Sequence, residues 1–260
     1  SVSVEALGLA VFEVQARGYP FPSYQWYRDG KPIQGAISRI LTMENLWAED
    51  SGNINVVISN DLGQVESKVI ELNVDELIDE DLANAIDMDG GKVVSVSIDD
   101  GFDEFSKPWK LFNSKKSADG KDSARAYSSS AEWYTESIFA VRIEGPGYLS
   151  FKWRLESART PQVYEAIELY CSLNDKFAFK QEQILASHTD AKSSSVAKWI
   201  DNRVLIPEGR HTVYFGFYKD AEQLGRAYVD EMSFQAVEES KPTLIIAKAL
   251  ESNVKLGGSL

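Results

Sequence analysis

Cysteine is nearly missing from this chain: Cys171 is the only one in 260 residues. No internal disulfide can form, so packing and hydrogen bonds alone must hold the fold. Cys171 lies in the apolar run IELYCSL and reads as a small core residue. Histidine is scarce as well. His188 and His211 are the only two, and no H-E-x-x-H or similar spacing links them, which excludes a zincin-type centre. His188 falls in a polar stretch, whereas GRHTVYFGF predicts a hydrogen-bonded strand histidine at 211, on one face with Val213 and Phe215. No apolar run approaches the ~20 residues of a membrane-spanning helix. The chain opens abruptly in a strand pattern, without a basic and apolar leader, and reads as an excised fragment whose signal peptide lies elsewhere.

Positive charge is in deficit: 27 Lys and Arg face 40 Asp and Glu, a net charge of −13. Nucleic acid demands a basic face, so that class of partner is excluded. The same balance argues against anionic membrane surfaces, and no membrane insertion is expected. Catalytic signatures are wanting too. There is no G-x-S-x-G, no G-x-G-x-x-G and no P-loop. Carboxylates are so abundant that a glycosidase-type pair carries no information. We therefore expect no catalysis by this chain on its own.

Alternation is what the sequence does have. Short alternating strands recur between turn signals, as in antiparallel sandwiches, and the length suits two domains. Residues 1–74 contain the turn GYPFP, the hairpin YQWYRDGKPI and the polar corner AEDSG. Residues 75–92, DELIDEDLANAIDMDGGK, place Leu77, Ile78, Leu82 and Ile86 at near-helical spacing. They predict an acidic amphipathic linker helix ended by Gly90-Gly91. D-M-D-G lacks the spacing of an EF-hand loop. Residues 93–238 again read as strands: VVSVSI, GPGYLSFKWRLES, AIELYCSL, VLIPEGRHTVYFGFYKD and AYVDEMSFQAV. The intervening stretch 158–200 is irregular and reads as an enlarged loop.

The first segment resembles the cysteine-free I-set-like immunoglobulin domains of bacterial surface proteins. The resemblance rests on Pro20, Trp26, Tyr27, Gly30 and Ile33, then Ala48, Asp50, Gly52, Val56, Asn60 and Gly63. In that register the usual half-cystines fall on Val14 and Val56, which implies a Val pair packed on Trp26 in place of the disulfide. Ile54 occupies the place of the corner tyrosine. The second segment is similar to the MAM-like or concanavalin-like jelly rolls of large secreted bacterial proteins. The similarity is carried by DDGFDEFSKPW at 99–109, EGPGYLSFKWRLES at 144–157, IPEGRHTVYFGFYKD at 206–220 and AYVDEMSF at 227–234. The tail, residues 239–260, ends in NVKLGGSL. That echoes SVEALGLAV at the amino end and reads as the start of a further immunoglobulin-like domain.

These resemblances imply an all-β fold class: an immunoglobulin-like sandwich plus a larger jelly-roll β-sandwich. They also imply a non-catalytic segment of an extracellular or cell-surface protein. Its jelly roll would bind a glycan or a cell-surface protein, beside neighbouring modules of the same chain. Trp133, Tyr134 and Tyr164 are the expected stacking residues for sugar rings, with Trp199 and Tyr218 as further aromatics. A structural Ca²⁺ is implied between the opening and closing strands, on Asp100, Asp103 and Asp230. Two alternatives stand beside this reading: a purely structural array segment, and an ancillary region of a secreted polysaccharide hydrolase or protease.

Overall fold

The structure is a computed structural model and describes residues 1–76, 78–88, 91–96, 108–128, 134–157, 166–174, 178, 180–189, 197–220 and 225–237. Of the elements expected above, Leu77, Gly90, the opening segment 97–107 and the tail lie outside the described residues.

The amino-terminal part builds β1 (Val2–Glu5), β2 (Ala10–Glu13), β3 (Ser23–Arg28), β4 (Lys31–Pro32), β5 (Ile40–Met43), β6 (Gly52–Asn60), β7 (Gly63–Glu66) and β8 (Ile70–Asp75). One sheet runs β1-β8-β6-β3-β4 with β7 on β6, and the β2-β5 pair forms the second layer. Alternation drives the burial: Ala10 and Phe12 point inward from β2 while Val11 and Glu13 face out. Asp29 and Gly30 turn the β3-β4 hairpin with φ of 50° and 75°. Two left-handed residues in a row give the turn whose twist matches the strands it joins.

Trp26 is buried, and its indole N–H donates to the Ser38 carbonyl at 2.8 Å. Val56 lies directly opposite it across the β3-β6 ladder and is buried too. Val14 falls just past the end of β2 and only edges the core; the ring against Trp26 is Phe12, at 6.2 Å between centroids. Phe12 and Val14 are two apart and so share one face of the chain, but Phe12 lies within β2 and Val14 beyond its end. Ile54 is fully buried, in keeping with the loss of the corner tyrosine.

The second part begins with α1 (Glu80–Ala85) and continues with β9 (Val93–Val96), β10 (Lys110–Asn113), β11 (Asp122–Ser128), β12 (Tyr134–Ser157), β13 (Ala166–Leu173), β14 (Ile184–Thr189), β15 (Ile200–Asp220) and β16 (Gly225–Ala236). The ladder runs β10-β11-β16-β12-β15-β13-β14, with β9 on β12. It forms two layers because β12 and β15 bend together. Their register slips between Gly145 and Gly147, where Gly145 faces Gly209. A Cβ on Gly145 would sit 1.9 Å from the Pro207 carbonyl oxygen, so only glycine lets the backbones approach there.

The later half of β12 and the early half of β15 join β16, β11 and β10 in a front layer. The early half of β12 and the later half of β15 join β9, β13 and β14 in a back layer. Phe139 and Phe215 stack across the back layer at 4.8 Å, and Phe151 of the front layer meets Phe215 edge-on at 5.0 Å. The result is the larger, jelly-roll-type β-sandwich.

The expected helix is shorter than its apolar spacing suggested. Asp79 caps it by accepting the Leu82 N–H, and Asp87, with φ of 62°, follows its end before Gly90-Gly91 is reached. Leu82, Ala83 and Ile86 join the core of the second sandwich, and the Ile86 carbonyl accepts the Met232 N–H. Ile78 stays exposed. Within the expected enlarged loop, Ile184–Thr189 is a strand on β13. Cys171 is fully buried, and that burial pushes its thiol pKa far up.

Candidate functional site

The chain presents three places where side chains do more than fill a core. The first is the joint between the sandwiches. Trp47 is fully buried, but it packs with Val94, Ile138, Ala140 and Tyr214 of the second sandwich and with Leu7 of the first. Its indole N–H donates to Thr212 Oγ1 at 2.8 Å. Beside it, Tyr214 donates its hydroxyl to Asn45 Oδ1 at 2.5 Å, and Asn45 Nδ2 donates to the Asn174 carbonyl at 3.3 Å.

Asp50, from the AEDSG corner, accepts the Trp47 N–H at 3.0 Å and pairs with Arg28 at 3.0 Å. It also lies 3.9 Å from Arg142 and 3.7 Å from Arg210, both on the second sandwich. Burial lowers the Arg142 pKa, and Asp50 opposes that shift. Lys92 pairs with Glu49 and, at 3.4 Å, with Glu76. Burial pushes the Glu49 carboxyl up, but the Lys92 bond holds it below its ordinary range. An apolar centre ringed by hydrogen bonds and ion pairs resembles a permanent interface more than a flexible linker.

The second place is Asp230 on β16. Its side chain is fully buried. Oδ2 accepts the Ala118 N–H at 2.7 Å and Oδ1 accepts the Glu231 N–H at 2.8 Å. Burial pushes its pKa up to about 6, with Asp119 adding to the rise and the backbone donors opposing it. Each oxygen keeps a lone pair, a donor chemistry that suits a hard cation. Of the three expected ligands, Asp230 is the one among the described residues. Asp100 and Asp103 lie outside the described residues, and among the described residues no group of three or more His, Cys, Asp or Glu could hold a metal.

Of the expected stacking residues, Trp133 and Tyr164 also lie outside the described residues, while the backbone of Tyr134 pairs with Asp220 at the start of β12. His211 is hydrogen-bonded through both ring nitrogens, to Asn174 Nδ2 and to the Glu208 carbonyl, each at 3.0 Å. An amide N–H donating to Nδ1 assigns the ring proton to Nε2.

The third place is the outer face of the front layer, opposite the core residues Trp153, Ala124, Ala126 and Val229. Tyr228 is almost buried there, covered by its neighbours. The Arg154 guanidinium lies 4.2 Å over its ring, and Trp199 and Phe112 flank it at 6.2 and 6.0 Å. Glu156 accepts the Tyr228 hydroxyl at 3.1 Å and pairs with Arg154 at 3.2 Å and Arg226 at 3.5 Å. Burial raises the Tyr228 pKa, and Glu156 raises it further.

The β10-β11 loop closes over this face. Arg154 Nη1 and Trp199 Nε1 both donate to the Lys116 carbonyl at 3.1 Å, while Asp230 holds Ala118 from the other side. Sequence reading found Trp199 but missed Trp47, Arg154 and Tyr228. Trp47 carried a signal, a large apolar residue at a polar corner. Arg154 and Tyr228 gave none beyond strand alternation.

Residues 1–74 match the family model of the immunoglobulin I-set domain, and this part of the chain is an I-set domain. No curated protein matches the chain. Among solved structures, extracellular domains 3–5 of Drosophila OTK align at 25% identity over 28% of this chain and 28% of that one, with a TM-score of 0.26. TmCBM61, solved in complex with beta-1,4-galactotriose, aligns at 9% identity over 62% of this chain and 97% of its own, with a TM-score of 0.34. The K2 cleaved adhesin domain of Lys-gingipain aligns at 12% over 56% and 89%, with a TM-score of 0.37. The chain spans only 28% of the OTK chain and 18% of a four-domain Dscam1 chain.

Proposed function

We propose that this chain is a non-catalytic binding segment of an extracellular or cell-surface protein, in which the jelly-roll sandwich binds a glycan and the I-set domain orients it. The cysteine-free I-set pattern supports a bacterial parent. No helix among the described residues is long and apolar enough to cross a membrane.

The observation that carries the reading is the joint. Trp47 and its hydrogen bonds fix the I-set domain against the back layer, and the front face points away with its aromatic and cationic side chains. A mount held at a fixed angle, with the opposite face free of the I-set domain, is what presentation of a binding surface requires. Structural Ca²⁺ held by Asp100, Asp103 and Asp230 belongs to this proposal. It would tie the opening segment to β16 and offset the buried charge of Asp230.

The test is binding to a broad panel of polysaccharides in calcium-containing buffer. We expect saturable binding that Trp133→Ala or Tyr164→Ala weakens. No binding across the panel overturns the glycan reading and leaves the chain as a structural array segment.

A further inference from the structure

Outside the joint and the Asp230 pocket, the least self-consistent feature of the molecule is a row of side chains across the front face. Lys110 of β10 lies directly opposite Arg125 of β11, Arg125 opposite Tyr228 of β16, and Tyr228 opposite Arg154 of β12. Trp199, just before β15, packs on Arg154 and ends the row, with its ring 4.9 Å from the guanidinium. The next row runs Tyr127, Arg226, Glu156.

Two cations directly opposite each other destabilise a sheet. Neither Lys110 nor Arg125 has a carboxylate within ion-pair distance among the described residues. Arg125 instead lies 3.9 Å over the Phe112 ring. The chain carries 13 surplus negative charges, so an acidic neighbour would have been the ordinary choice. Residues 108–126 run against the whole: they hold five Lys or Arg and two Asp. Lys116 and Lys198, both exposed, flank the row. The Phe112 ring under Arg125 and the Lys121–Asp119 pair offset part of this concentration of one sign. The facing Lys110 and Arg125 charges are left without a carboxylate among the described residues, and a local cost of that kind marks a site selected for something else.

We propose that this front face is a recognition surface for an anionic polysaccharide, a chain bearing carboxylate or sulfate groups. The proposal rests on the glycan reading above and names a class of sugar for it. Arg125 and Lys110 supply the unpaired positive charge. The guanidinium of Arg125, 3.9 Å over the Phe112 ring, carries the N–H fork that suits bidentate capture of a carboxylate or sulfate. Trp199 and Phe112 offer apolar ring surface to sugar C–H faces. Glu156, between two arginines, is an acceptor for hydroxyl groups. Charge complementarity selects an anion, and the alternation of rings and cations at strand spacing selects an extended sugar chain over a compact ion.

The experiment uses the full chain and four probes: polygalacturonate, heparin, neutral galactan and duplex DNA, each at low and raised salt. We expect binding to polygalacturonate or heparin that salt weakens, and little to galactan. The Lys110→Gln, Arg125→Gln double variant removes only exposed or half-exposed charge, so the fold should survive, as its unfolding midpoint will report. It should bind the acidic probe about three- to tenfold more weakly. Binding to polygalacturonate shows that carboxylate suffices, and binding to heparin without polygalacturonate shows that sulfate is required. Binding to galactan alone overturns this proposal and leaves the glycan reading standing. Acidic-probe binding untouched by the double variant overturns it as well, as does equal affinity for DNA. No binding to any probe overturns this proposal, and the broad panel above then decides the glycan reading.

Discussion

The indole N–H of Trp47 donates to the Thr212 hydroxyl at 2.8 Å, across 165 residues of sequence and from one sandwich to the other. Both groups are buried, so each depends on the other for its hydrogen bond. The two sandwiches are thus coupled by a contact that cannot be half made.

Trp47→Ala should cost about 3–5 kcal/mol, the usual range for emptying a buried aromatic site. Thr212→Val keeps the shape but strands the indole N–H, and should cost about 1–3 kcal/mol. Chemical denaturation reads both. Small-angle scattering should show the wild type as one particle of fixed length and Trp47→Ala as a broader distribution. Identical profiles would mean that Trp47 does not hold the joint.

Asp230 sets a pH dependence of definite sign. Its folded pKa of about 6 lies above the ordinary 3.8. The folded state therefore binds its proton more readily than the unfolded state does. The stability this contributes is fully present below the unfolded value and is lost as pH rises through the folded one. Wild-type stability should fall between about pH 4 and pH 7, by up to about 3 kcal/mol from this group. Asp87, also raised by burial and by Asp119, acts in the same direction, whereas Glu49, held low, acts in the opposite one. Subtracting the urea-unfolding profile of Asp230→Asn isolates the Asp230 share. A difference profile that is flat with pH would contradict this assignment.

Calcium should remove that dependence. If Asp100, Asp103 and Asp230 share the ion, millimolar Ca²⁺ raises the midpoint of thermal unfolding and a chelator returns it. At about a hundredfold above the dissociation constant the gain is ~2.7 kcal/mol. Asp230→Asn and Asp103→Asn should each lose the response. Equal midpoints with calcium and with chelator would retire the metal.

The partner of Trp26 can be settled by truncation. Phe12→Ala should cost about 3–5 kcal/mol, because it empties the site beside the indole. Val14→Ala, at the edge of the core, should cost less than about 1 kcal/mol. Both are read by denaturant unfolding monitored at tryptophan fluorescence. The reverse order would restore Val14 to the place that the resemblance gave it.

These residues also show where sequence reading stops. Trp26, the D-G turn and the AEDSG corner announced an immunoglobulin-type sandwich because their chemistry is local. A turn needs two left-handed residues in a row, and a strand needs alternation. The same locality recovered β13, β16 and the later parts of β12 and β15. It missed β14 and also β10, β11 and the first half of β12, where small and polar residues such as Ser123 and Ser137 are buried among apolar neighbours. Alternation fails when the polar side chain has its partner inside.

What the sequence determined by itself was the all-β class, the I-set pattern and the lack of any covalent brace. Each follows from residue type and spacing over a few positions, where backbone sterics and hydrophobic period decide. What only the tertiary structure decided was which distant residues meet. Trp47 could have been a surface aromatic until Thr212 was seen beneath it. Lys110 and Arg125 are fifteen positions apart in the chain and directly opposed in the sheet. Asp230 becomes a buried, proton-hungry carboxylate only because the β10-β11 loop covers it. Register and layer packing place these groups together, and neither is written in any short stretch of the chain.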